Sequence, residues 1–243
     1  MPRFVAYGGM MRISEIWRYP VKSVGGERLA DADVTSDGID GDRAWGILDP
    51  ATGLVLTARR EPSLLFLSAV HRAGERPAIR CDDGTELPDD DTLSRWIGRP
   101  VRLRSATDGP ATFENPMTVD DAGDERDWFQ WESAGRTFHD GRSTVSFVSR
   151  ASLGEWDARR FRANLVLEDG DGEDQLSGDV AVGGAVLTVR KPIERCVMVT
   201  RAQPGLPKDL SVLKRVIAER GNQLAVGATV VTPGPISEGD AFG

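Results

Sequence analysis

Cys196, within Lys191-Pro-Ile-Glu-Arg-Cys-Val-Met-Val-Thr200, is the side chain with the widest chemical reach in this sequence. A thiolate is both a nucleophile and a soft-metal ligand, and the neighbouring Lys191 and Arg195 favour that form over the thiol. A basic, proline-interrupted segment leads into it and a β-branched run follows, which puts the sulfur where a strand begins or a loop ends. The same surroundings also suit a buried, inert cysteine acting as a small apolar filler. Cys81 adjoins the acidic turn Asp82-Asp-Gly-Thr-Glu86, which disfavours its thiolate, and it is given no role.

The elements able to position such groups read as short strands separated by turns. Ile13–Trp17, Arg43–Leu48 and Leu54–Thr57 are apolar segments punctuated by Gly25-Gly26, Asp40-Gly41 and Asp49-Pro50, a spacing that suggests antiparallel meanders. A short helix is expected near Thr92–Ile97, stopped by Gly98. Residues 105–140 are polar, acidic and turn-rich, with Trp128 and Trp131 interspersed, and read as a long connection or a lid. Beyond them come a strand at Val145–Val148, a helix around Ser152–Arg160, a strand at Asn164–Leu167 and a hairpin across Val180–Arg190 through Gly183-Gly184. Leu210, Leu213 and Ile217 recur at helical spacing before Gly221, and Ala228–Thr232 reads as a strand. The fold class is predominantly β with a few helices (α+β).

Composition limits what this chemistry serves. The 243 residues carry 30 basic and 38 acidic side chains, a net charge of −8, with no Lys/Arg-rich run, which argues against nucleic acid or an anionic membrane as partner. No apolar run approaches the roughly 20 residues needed to span a bilayer, and the start of the sequence lacks a signal-like apolar core, so a cytoplasmic location is expected. Two dissimilar cysteines suit reduced thiols. With only His71 and His139 and no Cys-x-x-Cys, neither a zinc site nor an iron–sulfur cluster is expected.

Three further stretches join Cys196: Tyr19-Pro-Val-Lys-Ser23 with Gly41-Asp-Arg-Ala-Trp45 and Thr57-Ala-Arg59; Phe161-Arg-Ala-Asn164; and Val230 to Asp240. In this order they resemble the MOSC family, named for the C-terminal domain of molybdenum cofactor sulfurase, with its N-terminal β-barrel partner; among its members the pattern is similar to the mitochondrial amidoxime reducing component and its bacterial counterparts. The resemblance implies a MOSC-type β-barrel core packed with an N-terminal β-barrel-like subdomain, divided as 11–104, an acidic connection or lid at 105–140, and 141–243. It implies that Cys196 ligates molybdenum and that Lys22, Arg43, Arg59, Ser143, Arg162 and Asn164 hold the phosphorylated pterin of the molybdenum cofactor (Mo-molybdopterin). Arg59 is preferred to Arg60 because strand alternation sends neighbours to opposite faces. The charges agree with such a ligand, since an anionic phosphate and dithiolene require local cations, and a soft thiolate completes a sulfur-rich metal sphere.

The sequence departs from the family pattern in places. Ala163 replaces proline in Phe-Arg-Pro-Asn, the first cysteine of Cys-Ser-Arg-Cys is absent before Cys196, Leu176 stands near an expected tryptophan, and Thr200–Pro204 replaces a longer acidic turn. Trp17 and Trp45 read as core residues. His139-Asp140 reads either as a proton donor with its orienting acid or as a surface turn. The resemblance implies a molybdenum-dependent oxidoreductase that reduces N-hydroxylated compounds (amidoximes, hydroxylamines, N-hydroxylated bases). With no Gly-x-Gly-x-x-Gly fingerprint or cysteine cluster, electrons are expected from a separate flavin, haem or iron–sulfur protein. The alternative is a sulfur carrier, with Cys196 holding a persulfide or passing the cofactor to a client.

Overall fold

The computed structural model describes residues 10–119, 125–133 and 136–243. The start of the sequence and parts of the 105–140 stretch, at 120–124 and 134–135, lie outside the described residues. Strands dominate, and the described residues also contain α-helices at Asp90–Ile97, Arg150–Leu153 and Ser211–Arg220.

The largest sheet has eight strands. From Leu165–Glu168 it runs through Val145–Ser149, Gln223–Thr232, Ala185–Glu194, Asp179–Val182 and Ala241–Phe242 to Met11–Arg18 and Glu27–Leu29. Met11–Arg18 also pairs with Leu165–Glu168, with Ile13 opposite Leu167 and Ile16 opposite Leu165, so the hydrogen-bonded order returns to its start. Alternation buries Met11 and Ile13, and a register shift between Ile13 and Glu15 brings Ile16 to the same core with Phe147, Leu187 and Phe242.

Two features cut across the division expected at residues 104 and 141. Met11–Arg18 belongs to the sheet built from residues beyond 144, and Asp31–Thr35 pairs with Gly234–Ser237. The 105–140 stretch also contains two strands, Thr112–Val119 and Glu125–Glu132, paired antiparallel, with Thr112 opposite Glu132. They extend a five-stranded sheet through Leu54–Val55 to Trp45–Asp49 and Arg102–Ser105. A separate core of Val21, Val24, Ile47, Leu64, Ile79 and Leu93 supports this part.

The short helix ends where expected, with Gly98 at φ 85° accepting the left-handed turn. The helix expected over 152–160 instead stops at Leu153. Gly154 (φ 55°) breaks it, and only a 3₁₀ turn at Ala158–Arg160 follows, capped by Asp157. Trp17 and Trp45 pack against apolar clusters as expected, each partly buried.

Candidate functional site

The Tyr19–Ser23 and Gly41–Trp45 loops are laced together by main-chain bonds. Arg43 N–H donates to the Tyr19 carbonyl at 2.8 Å, Trp45 N–H to Pro20 at 3.0 Å, and Lys22 N–H to Trp45 at 2.8 Å. Asp42, fully buried, accepts from Tyr19 N–H at 2.7 Å and pairs with the Arg43 guanidinium. Sequence reasoning passed over Asp42, although its place before Arg43 in a glycine turn is the signal that it braces that arginine.

Arg43 and Arg162, from loops far apart in sequence, meet at one aromatic ring. Their guanidinium carbons stand 4.9 Å and 4.3 Å from the Tyr19 centroid, and Arg43 Nη2 donates to the Arg162 carbonyl at 3.0 Å. Both arginines have left-handed backbones, at φ 50° and 54°. Such conformations cost non-glycine residues about 1–3 kcal/mol and gather at functional sites. Burial lowers the pKa of Arg162 to about 10, which leaves it charged at neutral pH, and raises that of Tyr19 to about 12.

Lys22 is almost sealed. Its Nζ donates to the Phe138 carbonyl at 2.9 Å and to Asp140, and lies 3.8 Å from the Phe113 ring centroid. Burial lowers its pKa to about 8, against the opposing pull of Asp140. Arg59 joins the same carboxylate at 3.5 Å and donates to Asn115 at 2.6 Å, whereas Arg60 pairs with Glu114 and stacks 3.7 Å from the Trp128 ring. Arg59 is thus separated from Arg60 as expected, but by a turn at residues 58–60 instead of strand alternation.

His139-Asp140 divides between interior and surface, with His139 largely buried and Asp140 half-exposed. Phe138 N–H donates to the Arg43 carbonyl at 2.8 Å, which brings His139 against Asp42, its Nε2 lying 3.6 Å from Oδ2. Burial first, and Arg43 next, lower the His139 pKa to about 4, so the ring is neutral at pH 7. Asp140 is held well below the usual carboxylate range by Lys22 and Arg59, which outweigh its desolvation.

The remaining expected residues are placed differently. Asn164 is buried in the sheet. Its Oδ1 accepts from Ser146 N–H at 3.1 Å and Ser146 Oγ at 3.0 Å, and its Nδ2 donates to the Trp17 carbonyl at 3.2 Å. Expected at the pterin edge, its amide instead fastens the Arg162 turn to two strands. Ser143 lies at the start of strand Val145–Ser149, beside Gly227, where an added Cβ would meet its Oγ at 2.5 Å.

Cys196 follows strand Ala185–Glu194 and caps the 3₁₀ turn Val197–Thr200, its side chain partly exposed. The loop is pinned at both ends. Before it, Arg195 donates to the Leu224 carbonyl at 2.6 Å and the Phe161 carbonyl at 3.0 Å; after it, Arg201 donates to the Arg59 carbonyl at 3.4 Å. Lys191 is exposed, so Arg195 is the cation that accompanies the sulfur in the fold. Burial lowers the Arg195 pKa to about 10, and the adjacent Cys196 opposes the shift. A cavity of about 330 Å³ is lined by Trp17, Tyr19, Arg159, Arg162, Cys81 and Gln203. Burial, then Asp83 and Asp82, raise the Cys81 pKa, in line with its acidic turn.

Several buried polar atoms around these loops lack a hydrogen-bond partner among the described residues: Tyr19 Oη, Thr57 Oγ1, His139 Nε2, Arg195 Nη2 and Arg201 Nε. Unpaired donors beside buried cations and an accessible thiol fit an anionic, sulfur-rich guest. No three His, Cys, Asp or Glu side chains converge as a metal site among the described residues, so protein groups alone do not cage a metal here. No helix among them is long and apolar enough to cross a membrane.

Comparison with known proteins gives two family matches. Residues 10–130 match the MOSC N-terminal beta barrel domain and residues 137–242 the MOSC domain. A molybdenum cofactor sulfurase from Drosophila grimshawi is 25% identical over 235 residues, covering 82% of this chain and 29% of that protein. The chain therefore spans under a third of that relative's length. Among solved structures, the YuaD protein from Bacillus subtilis is 13% identical at a TM-score of 0.49, covering 98% of this chain and 97% of its own. YiiM from Geobacillus stearothermophilus is 21% identical at a TM-score of 0.32, covering 41% and 53%.

Proposed function

From the premise that this chain belongs to the MOSC family, we propose that its cationic cleft holds a molybdenum cofactor and that the loaded protein reduces N-hydroxylated compounds with electrons from a separate redox protein. The observation that carries the reading is the convergence of Lys22, Arg43, Arg59 and Arg162 from loops far apart in sequence, two of them in left-handed backbone, in a protein of net charge −8. Lys22 and Arg59 are suited to a terminal phosphate, the first as a point charge and the second as a planar fork. Arg43 and Arg162, stacked on Tyr19, border the pterin, and the Cys196 thiolate is the protein's soft ligand to the metal.

When bound, the cofactor supplies two-electron redox chemistry at molybdenum. The chain's residues position and charge-balance it. Conversion of an N-hydroxyl group to the amine consumes two electrons and two protons and releases water. Buried His139 is neutral at pH 7. The electrons come from a flavin, haem or iron–sulfur partner.

The test is metal and pterin analysis of protein made in a cofactor-competent host, with turnover of a benzamidoxime driven by reduced viologen. The wild type is expected to carry about one molybdenum per chain, and Cys196→Ser to lose both metal and turnover, because a hydroxyl is a harder and far less ionised donor. Full molybdenum and full turnover in Cys196→Ser would remove Cys196 as ligand. The sulfurase relative favours a second reading, in which Cys196 carries a persulfide in sulfur transfer. A persulfide on Cys196 in molybdenum-free protein selects that reading.

A further inference from the structure

We propose that Asp140 is a built-in counter-anion occupying the place of the ligand's phosphate, so that a phosphate group must displace it from Lys22 and Arg59 to bind. The inference rests on the cofactor reading for the identity of the guest, and on the geometry for the contest.

Lys22 is a deep cation with an exposed anion on its solvent side. Its side chain is 6% accessible, whereas that of Asp140 is 46% accessible. The Phe138 carbonyl and the Phe113 ring flank the ammonium, and the half-exposed carboxylate closes the cluster toward water. Asp140 holds Lys22 with one oxygen and Arg59, at 3.5 Å, with the other. It thus spans two cations with two oxygens, as two oxygens of a phosphate would.

The backbone around it permits withdrawal. Residues 136–144 form neither helix nor strand, Gly141 and Arg142 are exposed, and the space beside Gly141 is open. Phe138, in contrast, is fixed through its N–H to Arg43 and its carbonyl to Lys22, so release of the carboxylate need not disturb the lysine. Asp140 offsets two neighbouring cations that otherwise repel across a partly desolvated space. With phosphate present, the carboxylate would be a like charge beside the guest, which favours its departure.

The experiment is calorimetric titration of the full-length, cofactor-free protein with inorganic phosphate at fixed ionic strength, for wild type, Asp140→Asn, Asp140→Ala and Asp140→Glu. Removing the competing charge is expected to tighten phosphate binding about tenfold or more in the Asn and Ala variants, the scale of one charge-assisted contact. Asp140→Glu keeps the charge and should stay near the weak wild-type affinity. Without phosphate, the Asn and Ala variants should melt below wild type, and saturating phosphate should restore them. Equal or weaker phosphate binding in both variants, each shown by circular dichroism to be folded, would overturn the inference and make Asp140 a positioning residue for Lys22. Its failure is distinct from that of the cofactor reading. Protein from a competent host without molybdenum or pterin refutes that reading even where Asp140→Asn binds phosphate more tightly.

Discussion

Two buried polar regions of the protein are treated differently. Within the sheet, Asn164 is satisfied at both ends of its amide, and Glu173 accepts from Ser149 N–H at 3.0 Å and Ala225 N–H at 3.2 Å. Around Tyr19 and the Cys196 loop, Tyr19 Oη, His139 Nε2, Arg195 Nη2 and Arg201 Nε are buried without a hydrogen-bond partner among the described residues, although Arg195 and Arg201 donate from other nitrogens, and Arg43 and Arg162 sit in left-handed backbone. Burial of a polar group is offset by its bonds in the first region and only partly so in the second.

The largest effect expected from breaking this contrast is on the sheet. Asn164→Ala leaves Ser146 N–H and the Trp17 carbonyl without their side-chain partner and should lower stability by about 2–4 kcal/mol, read by denaturant melts. A loss under about 0.5 kcal/mol would show that the amide is not the fastening of the Arg162 turn.

His139 gives an intermediate effect, with a defined sign. Its pKa is about 4 when folded and 6.5 ordinarily, so the unfolded chain binds the proton first as pH falls. Stability is therefore lost between pH 6.5 and 4, on the order of 2–3 kcal/mol. His139→Gln should flatten that limb of the stability–pH curve; an unchanged slope would place the acid sensitivity elsewhere.

The smallest effect on stability, and the sharpest contrast, comes from Arg162→Gly. Glycine relieves the left-handed backbone, while the stacking on Tyr19 is lost, so the melting midpoint should shift by no more than about 1 kcal/mol equivalent. Pterin content from a competent host should nevertheless fall. Full pterin retention would remove Arg162 from the site.

Much of the sheet was legible because its strands alternate. Met11–Arg18, the Asp179–Glu194 hairpin and Gln223–Thr232 each pair near the segments read from apolar spacing. The strands at 112–119 and 125–132 were hidden by their acidic residues and Pro116, since pairing partners, not intrinsic preference, make them strands. Gly154 was the visible sign that the helix beyond Ser152 would not continue. Short motifs named Lys22, Arg43 and Arg162, but nothing local showed that the two arginines share Tyr19 or that Asp140 bridges Lys22 and Arg59. Those meetings join residues far apart in sequence, which spacing does not encode. Asn164 was singled out by its motif and placed by the fold in a different task.

The pairing of Met11–Arg18 also sets a timetable. Chains emerge from the ribosome in order, and this early strand meets Glu27–Leu29 at once but its other partners, Leu165–Glu168 and Ala241–Phe242, only much later. Tyr19 and Lys22 follow directly from its end, so the strand that carries them completes its pairing only after Ala241–Phe242 has been synthesised. A truncation that removes Ala241–Phe242 should therefore loosen the strand that carries Tyr19 and Lys22, read as a lower melting temperature, although neither residue carries any of the site's chemistry.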